Sequence, residues 1–288
     1  MKPTEQFLAQ AVEFVDVPGS RIAYRRFGSG PPLIFIHGWP FHSFNYRLVI
    51  PEMAHHFTCY ALDLPGCGLT EWTDATDFSF LPGQVGALHE FVTGLGLTQY
   101  SVIAHDTGAT IARYLSVRDR RLRRLVMLNT ESPGHRPPWI PLYRTLMALP
   151  WSGFVLSQLL RSKLFLRSSA GFGGAFADMS HLEGDFERHI IAPALASPRR
   201  VEGLRRYLRG LDWKLVDELT EIHARMEIPV LIIWGAQDLT FPLSAARDMV
   251  AQIPDCRGLH EIQGARLLPQ EERPQEVARL SLDFLRHG

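Results

Sequence analysis

Cysteine is scarce in this chain: Cys59, Cys67 and Cys256 are odd in number, far apart, and form no Cys-x-x-Cys pair. That pattern supports neither a zinc site nor a disulfide framework, and it leaves free thiols suited to a reducing compartment. An excess of charge of one sign is also missing, since Lys plus Arg and Asp plus Glu number 30 each. Without a bulk field, neither nucleic acid nor a membrane surface is expected as a partner. Long apolar runs are absent too. Residues 33–36 and 230–234 are strand-length, far short of the ~20 residues that span a bilayer. Residues 1–10 carry one lysine and no apolar stretch, so no signal peptide is expected. These absences predict a cytoplasmic protein with no metal and no cofactor, acting on a small and largely apolar molecule. They leave the oligomeric state open.

What is present is ordinary globular composition, 46% hydrophobic and 21% charged. The first 130 residues alternate apolar runs with helical patterns. Strands are expected at 22–27, 33–36, 57–62, 100–104 and 125–128, and helices at 84–95 and 108–117. Such alternation predicts an α/β fold with a mostly parallel sheet and helices on both faces. The rhythm breaks over 131–226, where no strand is convincing and Pro133, Pro137, Pro138 and Pro141 open a helical segment. It resumes with strands at 230–234 and 259–262 and helices at 243–252 and 274–285. Residues 1–130 and 227–288 are therefore expected to form a core domain, with 131–226 as a helical cap over the strands' carboxyl ends, where open α/β sheets bind ligands. Gly171-Phe172-Gly173-Gly174 reads as a flexible turn, since it follows no strand. The five arginines in 118–124 suit a solvated helix C-terminus.

The stretch Val102-Ile103-Ala104-His105-Asp106-Thr107-Gly108-Ala109 runs an apolar strand into a helix through one polar turn. A nucleophile elbow has this form, with small flanking residues (here Ala104 and Gly108) and a reactive side chain at the tip. An Asp at a helix start equally serves as an N-cap, and this stretch alone leaves both open. A second motif, His37-Gly38-Trp39-Pro40, follows the strand at 33–36. Together the two resemble the α/β-hydrolase superfamily, and within it the epoxide hydrolases and haloalkane dehalogenases; the likeness extends over nearly the whole chain.

The resemblance implies Asp106 as a carboxylate nucleophile and the Trp39 and Thr107 backbone N–H groups as an oxyanion hole, each such donor typically contributing roughly 3 kcal/mol. It also implies a cis Trp39–Pro40 bond, a family-like turn at Asp63-Leu64-Pro65-Gly66-Cys67-Gly68, and Asp238, after the strand at 230–234, as the triad acid. His37 and His105 of the two motifs are substrate-binding candidates. So are Tyr143 and Tyr207, because cap tyrosines donate to the epoxide oxygen in epoxide hydrolases. Trp139, Trp151, Phe154, Phe172 and Phe176 are candidates for an apolar lining. Thr107 stands where many dehalogenases carry a halide-holding tryptophan.

The family's catalytic histidine is missing. Its stretch resembles Gly-Ala-Gly-His, and in Gly264-Ala265-Arg266-Leu267 the histidine slot is assigned to Arg266, which cannot act as a base near neutral pH. Ester formation on Asp106 would then proceed while water activation is altered or impaired. His260 and Glu271 are candidate substitutes. Arg266 has three possible uses: pairing with Asp238, pairing with Asp106, or binding an anionic group. Three readings follow. One is an epoxide-hydrolase-like or dehalogenase-like hydrolase. The second is an isomerase or lyase using Asp106 as a base. The third is an inactive ligand-binding relative.

Overall fold

The computed structural model describes residues 1–287. Nine strands form one sheet: β1 (Glu13–Val17), β2 (Ser20–Phe27), β3 (Pro32–Ile36), β4 (Thr58–Leu62), β5 (Glu71–Trp72), β6 (Tyr100–His105), β7 (Leu122–Leu128), β8 (Val230–Gly235) and β9 (Cys256–Ile262). Their order is β1-β2-β4-β3-β6-β7-β8-β9, with β5 on β2. Pairing is antiparallel among β1, β2, β4 and β5, and parallel from β4 through β3, β6, β7 and β8 to β9.

Central parallel strands are covered on both faces, so they read as continuous apolar runs rather than alternating ones. The last four residues of β3, β6 and β7 and all six of β8 are buried. The edge strand β1 instead alternates, with Val15 and Val17 buried and Phe14 and Asp16 exposed. The sequence reading passed over β1. Its signal was the Pro18-Gly19 turn, where Gly19 takes φ 75° and closes a hairpin with Val17 opposite Ser20.

Between β7 and β8 the chain is helical, with Ile140–Leu146, Ser152–Arg161, Lys163–Arg167, Pro198–Arg209, Trp213–Asp217 and Leu219–Ala224 and no strand among the described residues. The glycines at 171 and 173 serve close packing rather than flexibility. A Cβ on Gly171 would lie 2.2 Å from Phe165 O, and one on Gly173 2.4 Å from Arg167 O. In the arginine run, Arg118 donates to Tyr114 O at 3.0 Å and Arg121 pairs with Asp119 at 2.8 Å. All three cysteines are free. No helix among the described residues is long and apolar enough to cross a membrane.

A buried ion pair ties the loop after β3 to the C-terminal region: Arg47 meets Glu271 at 2.6 Å, and both are nearly inaccessible. Burial raises the Glu271 carboxyl above its usual range, and Arg47 opposes that rise. Arg47→Met should therefore cost about 3–5 kcal/mol at pH 8, where it strands a buried carboxylate. A carboxyl whose folded pKa is raised regains stability as pH falls through that value, so the variant should recover on acidification. Urea unfolding at pH 8 and pH 5 checks both parts.

Candidate active site

Asp106 sits between β6 and the helix Thr107–Ser116 with φ 53° and ψ −137°, and no other described residue besides glycine has positive φ. A side chain is held in that region only when surrounding structure compels it. Here the Asp106 N–H donates to Asn129 O at 2.9 Å, and two glycines crowd the turn. A Cβ on Gly38 would fall 2.3 Å from Asp106 Cβ, and one on Gly108 2.3 Å from His37 O. The Asp106 side chain makes no capping bond to its helix. Geometrically the turn is an elbow, and the N-cap reading does not hold.

The carboxyl faces a cavity of about 290 Å³. Its wall is largely apolar, with Trp39, Phe41, Trp139, Met147, Leu156 and Phe172 among its members and Asp106, Thr107 and Glu131 as polar points. Glu131 lies just past β7, the strand beside β6. Its Oε2 accepts from the Thr110 hydroxyl at 2.7 Å and lies 3.0 Å from that of Thr130, which also reaches Asp106 O at 2.8 Å. Both hydroxyls in turn accept from the buried Arg113 guanidinium at 2.8 Å, which also donates to Glu131 O at 3.0 Å. The Asp106 carboxyl is in hydrogen-bonding reach of Glu131. Burial first, and then the Glu131 charge, push it well above the usual carboxylate range, against the Thr107 N–H that favours its charged form. A neighbouring carboxylate disfavours ionisation, and here that effect falls on Asp106.

Asp238, in the turn after β8, is held by Asn129 Nδ2 at 2.6 Å and the Thr240 N–H at 2.7 Å. Burial pushes it up to about 7. Its neighbours Leu239 and Thr240 line the cavity, and its own side chain does not.

Other expected site residues lie elsewhere. Arg266 is not in the site. Its guanidinium donates to Gly173 O and Phe176 O at 3.1 Å, making no pair with Asp106 or Asp238. Leu267 lines the cavity in its place. Set against Gly-Ala-Gly-His, Gly264-Ala265-Arg266-Leu267 puts Arg266 at the second glycine and Leu267 at the histidine, so the assignment was one residue out. His260 is exposed and Glu271 is committed to Arg47, so neither substitutes. No histidine lines the cavity among the described residues.

The two motif histidines are bonded to backbone groups and do not line the cavity. His37 accepts the Leu64 N–H at 2.9 Å and donates to Gly38 O at 2.9 Å, and burial lowers it to about 4. His105 donates to Leu267 O at 2.8 Å, and burial lowers it to about 3. The Trp39–Pro40 bond is cis. The Trp39 N–H donates to Thr107 Oγ1 at 3.0 Å, so of the two expected oxyanion donors only Thr107 N–H faces Asp106. The Trp39 indole is used by Leu204 O at 2.9 Å.

The Tyr143 ring lines the cavity, with its hydroxyl donated to Ala170 O. Tyr207 is behind the wall, 2.9 Å from Thr107 Oγ1. Trp139 and Phe172 belong to the lining, Phe176 is buried outside it, and Trp151 and Phe154 are 55% and 69% exposed. Sequence reasoning missed Glu131. Its signal was position, an acid at the carboxyl end of the strand beside the elbow's strand.

A model of the alpha/beta hydrolase family matches residues 33–280. The chain is 28% identical over 280 residues to haloalkane dehalogenase 2 of Mycobacterium tuberculosis, covering 96% of this chain and 95% of that protein. It is 35% identical over 126 residues to a soluble epoxide hydrolase of Corynebacterium sp., 41% of each chain. A solved haloalkane dehalogenase from Bradyrhizobium elkani superposes with TM-score 0.77 at 22% identity, covering 96% of this chain and 97% of that one. At that identity the likeness speaks for the fold alone.

Proposed function

The chain belongs to the alpha/beta hydrolase family, and from that premise we propose that it uses Asp106 to attack an electrophilic carbon of an apolar small molecule, an epoxide or another C–X compound. One observation carries this reading: a strained, uncapped carboxyl at a strand–helix elbow, set in an apolar wall against a second carboxyl. Residues 1–130 and 227–288 act as the core and 131–226 as the cap that supplies the apolar side of the cavity.

At rest the Asp106–Glu131 pair holds one proton. As an Asp106 oxygen bonds to the substrate carbon and the C–X bond breaks, that proton passes to Glu131, leaving an ester on Asp106. Glu131 then gives its proton to the departing group or to solvent. As a carboxylate it takes a proton from the water that attacks the ester carbonyl, and Thr107 N–H steadies the oxyanion on Asp106. Collapse releases the alcohol and restores the singly protonated pair. Glu131 thus fills the water-activating role for which the cavity wall offers no histidine.

The test is intact mass after incubation with a panel of epoxides and alkyl halides. Glu131→Gln should let the ester on Asp106 accumulate, with hydrolysis slowed ~10²–10⁴-fold, the usual contribution of a general base. The variant also removes the charge that helps raise Asp106. Ester formation, which needs the Asp106 carboxylate, should therefore begin at lower pH in the variant than in the parent protein. Turnover by Glu131→Gln without any adduct would instead favour an isomerase or lyase.

A further inference from the structure

Resting on the nucleophilic role of Asp106, we propose that the Thr107 hydroxyl, backed by Tyr207, is the proton donor to a departing oxygen, and that the site is accordingly built for epoxides rather than alkyl halides. The geometry of three groups carries this. Thr107 lines the cavity directly beside Asp106. Its Oγ1 accepts the Trp39 N–H at 3.0 Å and lies 2.9 Å from the Tyr207 hydroxyl.

A hydroxyl has one hydrogen and two lone pairs. Tyr207 is 1% exposed, and among the described residues Thr107 Oγ1 is the hydrogen-bond partner found for its hydroxyl. A buried phenol hydrogen needs an acceptor, so Tyr207 donates to Thr107. With Trp39 N–H on one lone pair and Tyr207 O–H on the other, the Thr107 hydrogen is the one left over. No acceptor besides the Tyr207 oxygen is found for it among the described residues, and Thr107 belongs to the cavity lining. Two donors on one oxygen also polarise the remaining O–H and make it a better donor.

Such a donor matters differently for the two kinds of leaving group. A halide leaves as a stable anion and needs no proton. A ring oxygen leaves as an alkoxide, a base strong enough to take one. In the proposed step the Asp106 oxygen bonds to the ring carbon and the ring C–O bond breaks. The alkoxide takes the Thr107 hydroxyl proton, and Thr107 takes the phenol proton of Tyr207. The proton that Asp106 gave to Glu131 passes through water in the cavity to Thr107, which hands its own proton back to Tyr207, leaving Glu131 as the base for ester hydrolysis. Water is the only co-reactant, and every proton is accounted for. Burial holds the Tyr207 hydroxyl well above its ordinary range, so a base as strong as an alkoxide is needed to draw its proton and a halide leaves it in place.

The experiment compares single-turnover ester formation on Asp106, by intact mass, from an aryl epoxide and from the primary bromide with the same skeleton. Thr107→Val, Thr107→Ser and Tyr207→Phe are each measured against the parent. The readout is the epoxide-to-bromide rate ratio. Thr107→Val should lower that ratio ~10²–10³-fold, the loss typical of one donor at a developing charge. Thr107→Ser, which keeps the hydroxyl, should restore most of it. Tyr207→Phe should lower it ~10-fold, because Thr107 keeps its hydrogen and loses its proton source. An unchanged ratio in Thr107→Val, or a serine variant as impaired as the valine one, overturns the proposal. Absence of any Asp106 adduct from either substrate when Glu131→Gln blocks ester hydrolysis overturns the nucleophilic reading, and this proposal with it.

Discussion

Asp106→Asn is expected to lower ester formation and turnover by more than about 10⁴-fold, as loss of a covalent nucleophile does, while making the fold more stable. The two effects share one cause. Asp106 is buried beside Glu131, with Asp238 adding to the same field, and its carboxyl is raised well above its ordinary range. The folded chain therefore holds a proton that the unfolded chain releases near pH 4. Stability linked to that proton is complete below the unfolded pKa and is lost as pH rises through the folded one. Asparagine has no such loss. Its amide oxygen can accept the Thr107 N–H, its NH₂ can donate to Glu131, and as a near-isostere of aspartate it places no new demand on the turn. The gain should be small at pH 5 and reach about 1–3 kcal/mol at pH 8, a size common where a site is kept strained for function. Urea unfolding at the two pH values, beside single-turnover mass measurements, reads both effects. A variant less stable than the parent at pH 8 would mean that the carboxyl costs the fold nothing.

The sheet was legible in the sequence because its central strands are covered on both faces and so appear as unbroken apolar runs. Val230–Gly235 is buried throughout, and its reading was nearly complete. The edges were read less fully: β1 was passed over although its residues alternate before the Pro18-Gly19 turn, β5 has only two residues, and of β9 only 259–262 was read. In the site, Asp106 was found because its motif is local, a strand, a tight turn and a helix within eight residues. Glu131 escaped because its relation to Asp106 is made by the register of β6 beside β7, which pairs His105 with Leu128 and carries the next residues of both strands to the same edge. The hydroxyl chain from Tyr207 through Thr107 to Trp39 is longer-ranged still, joining residue 207 to residues 107 and 39. His37 and His105 misled for the opposite reason. Their motif is local, yet each imidazole is spent on backbone groups, where burial keeps it neutral.

Leu267→His is expected to shorten the life of the Asp106 ester by ~10²-fold or more, whereas Arg266→His should leave it unchanged. Residue 267 is part of the cavity wall that also holds Asp106 and Glu131, and its carbonyl is pinned by His105 at 2.8 Å. An imidazole there is presented from a fixed backbone to the face where water attacks the ester, and general base catalysis by histidine typically contributes ~10²–10⁴-fold. Burial alone would keep such an imidazole from taking a proton, as it does His105. A nearby carboxylate reverses that penalty by favouring the charged form. Glu131 becomes such a partner once Asp106 is esterified and no longer shares its proton. Residue 266 lacks this geometry, because its side chain runs to Gly173 O and Phe176 O, outside the lining. Chasing a bromide-derived ester by intact mass in both variants separates the two positions. Faster decay in Arg266→His with none in Leu267→His would place the water-attack face on the wrong residue. Faster decay in Leu267→His that disappears in Leu267→His with Glu131→Gln would show the glutamate serving the new imidazole as its acid partner.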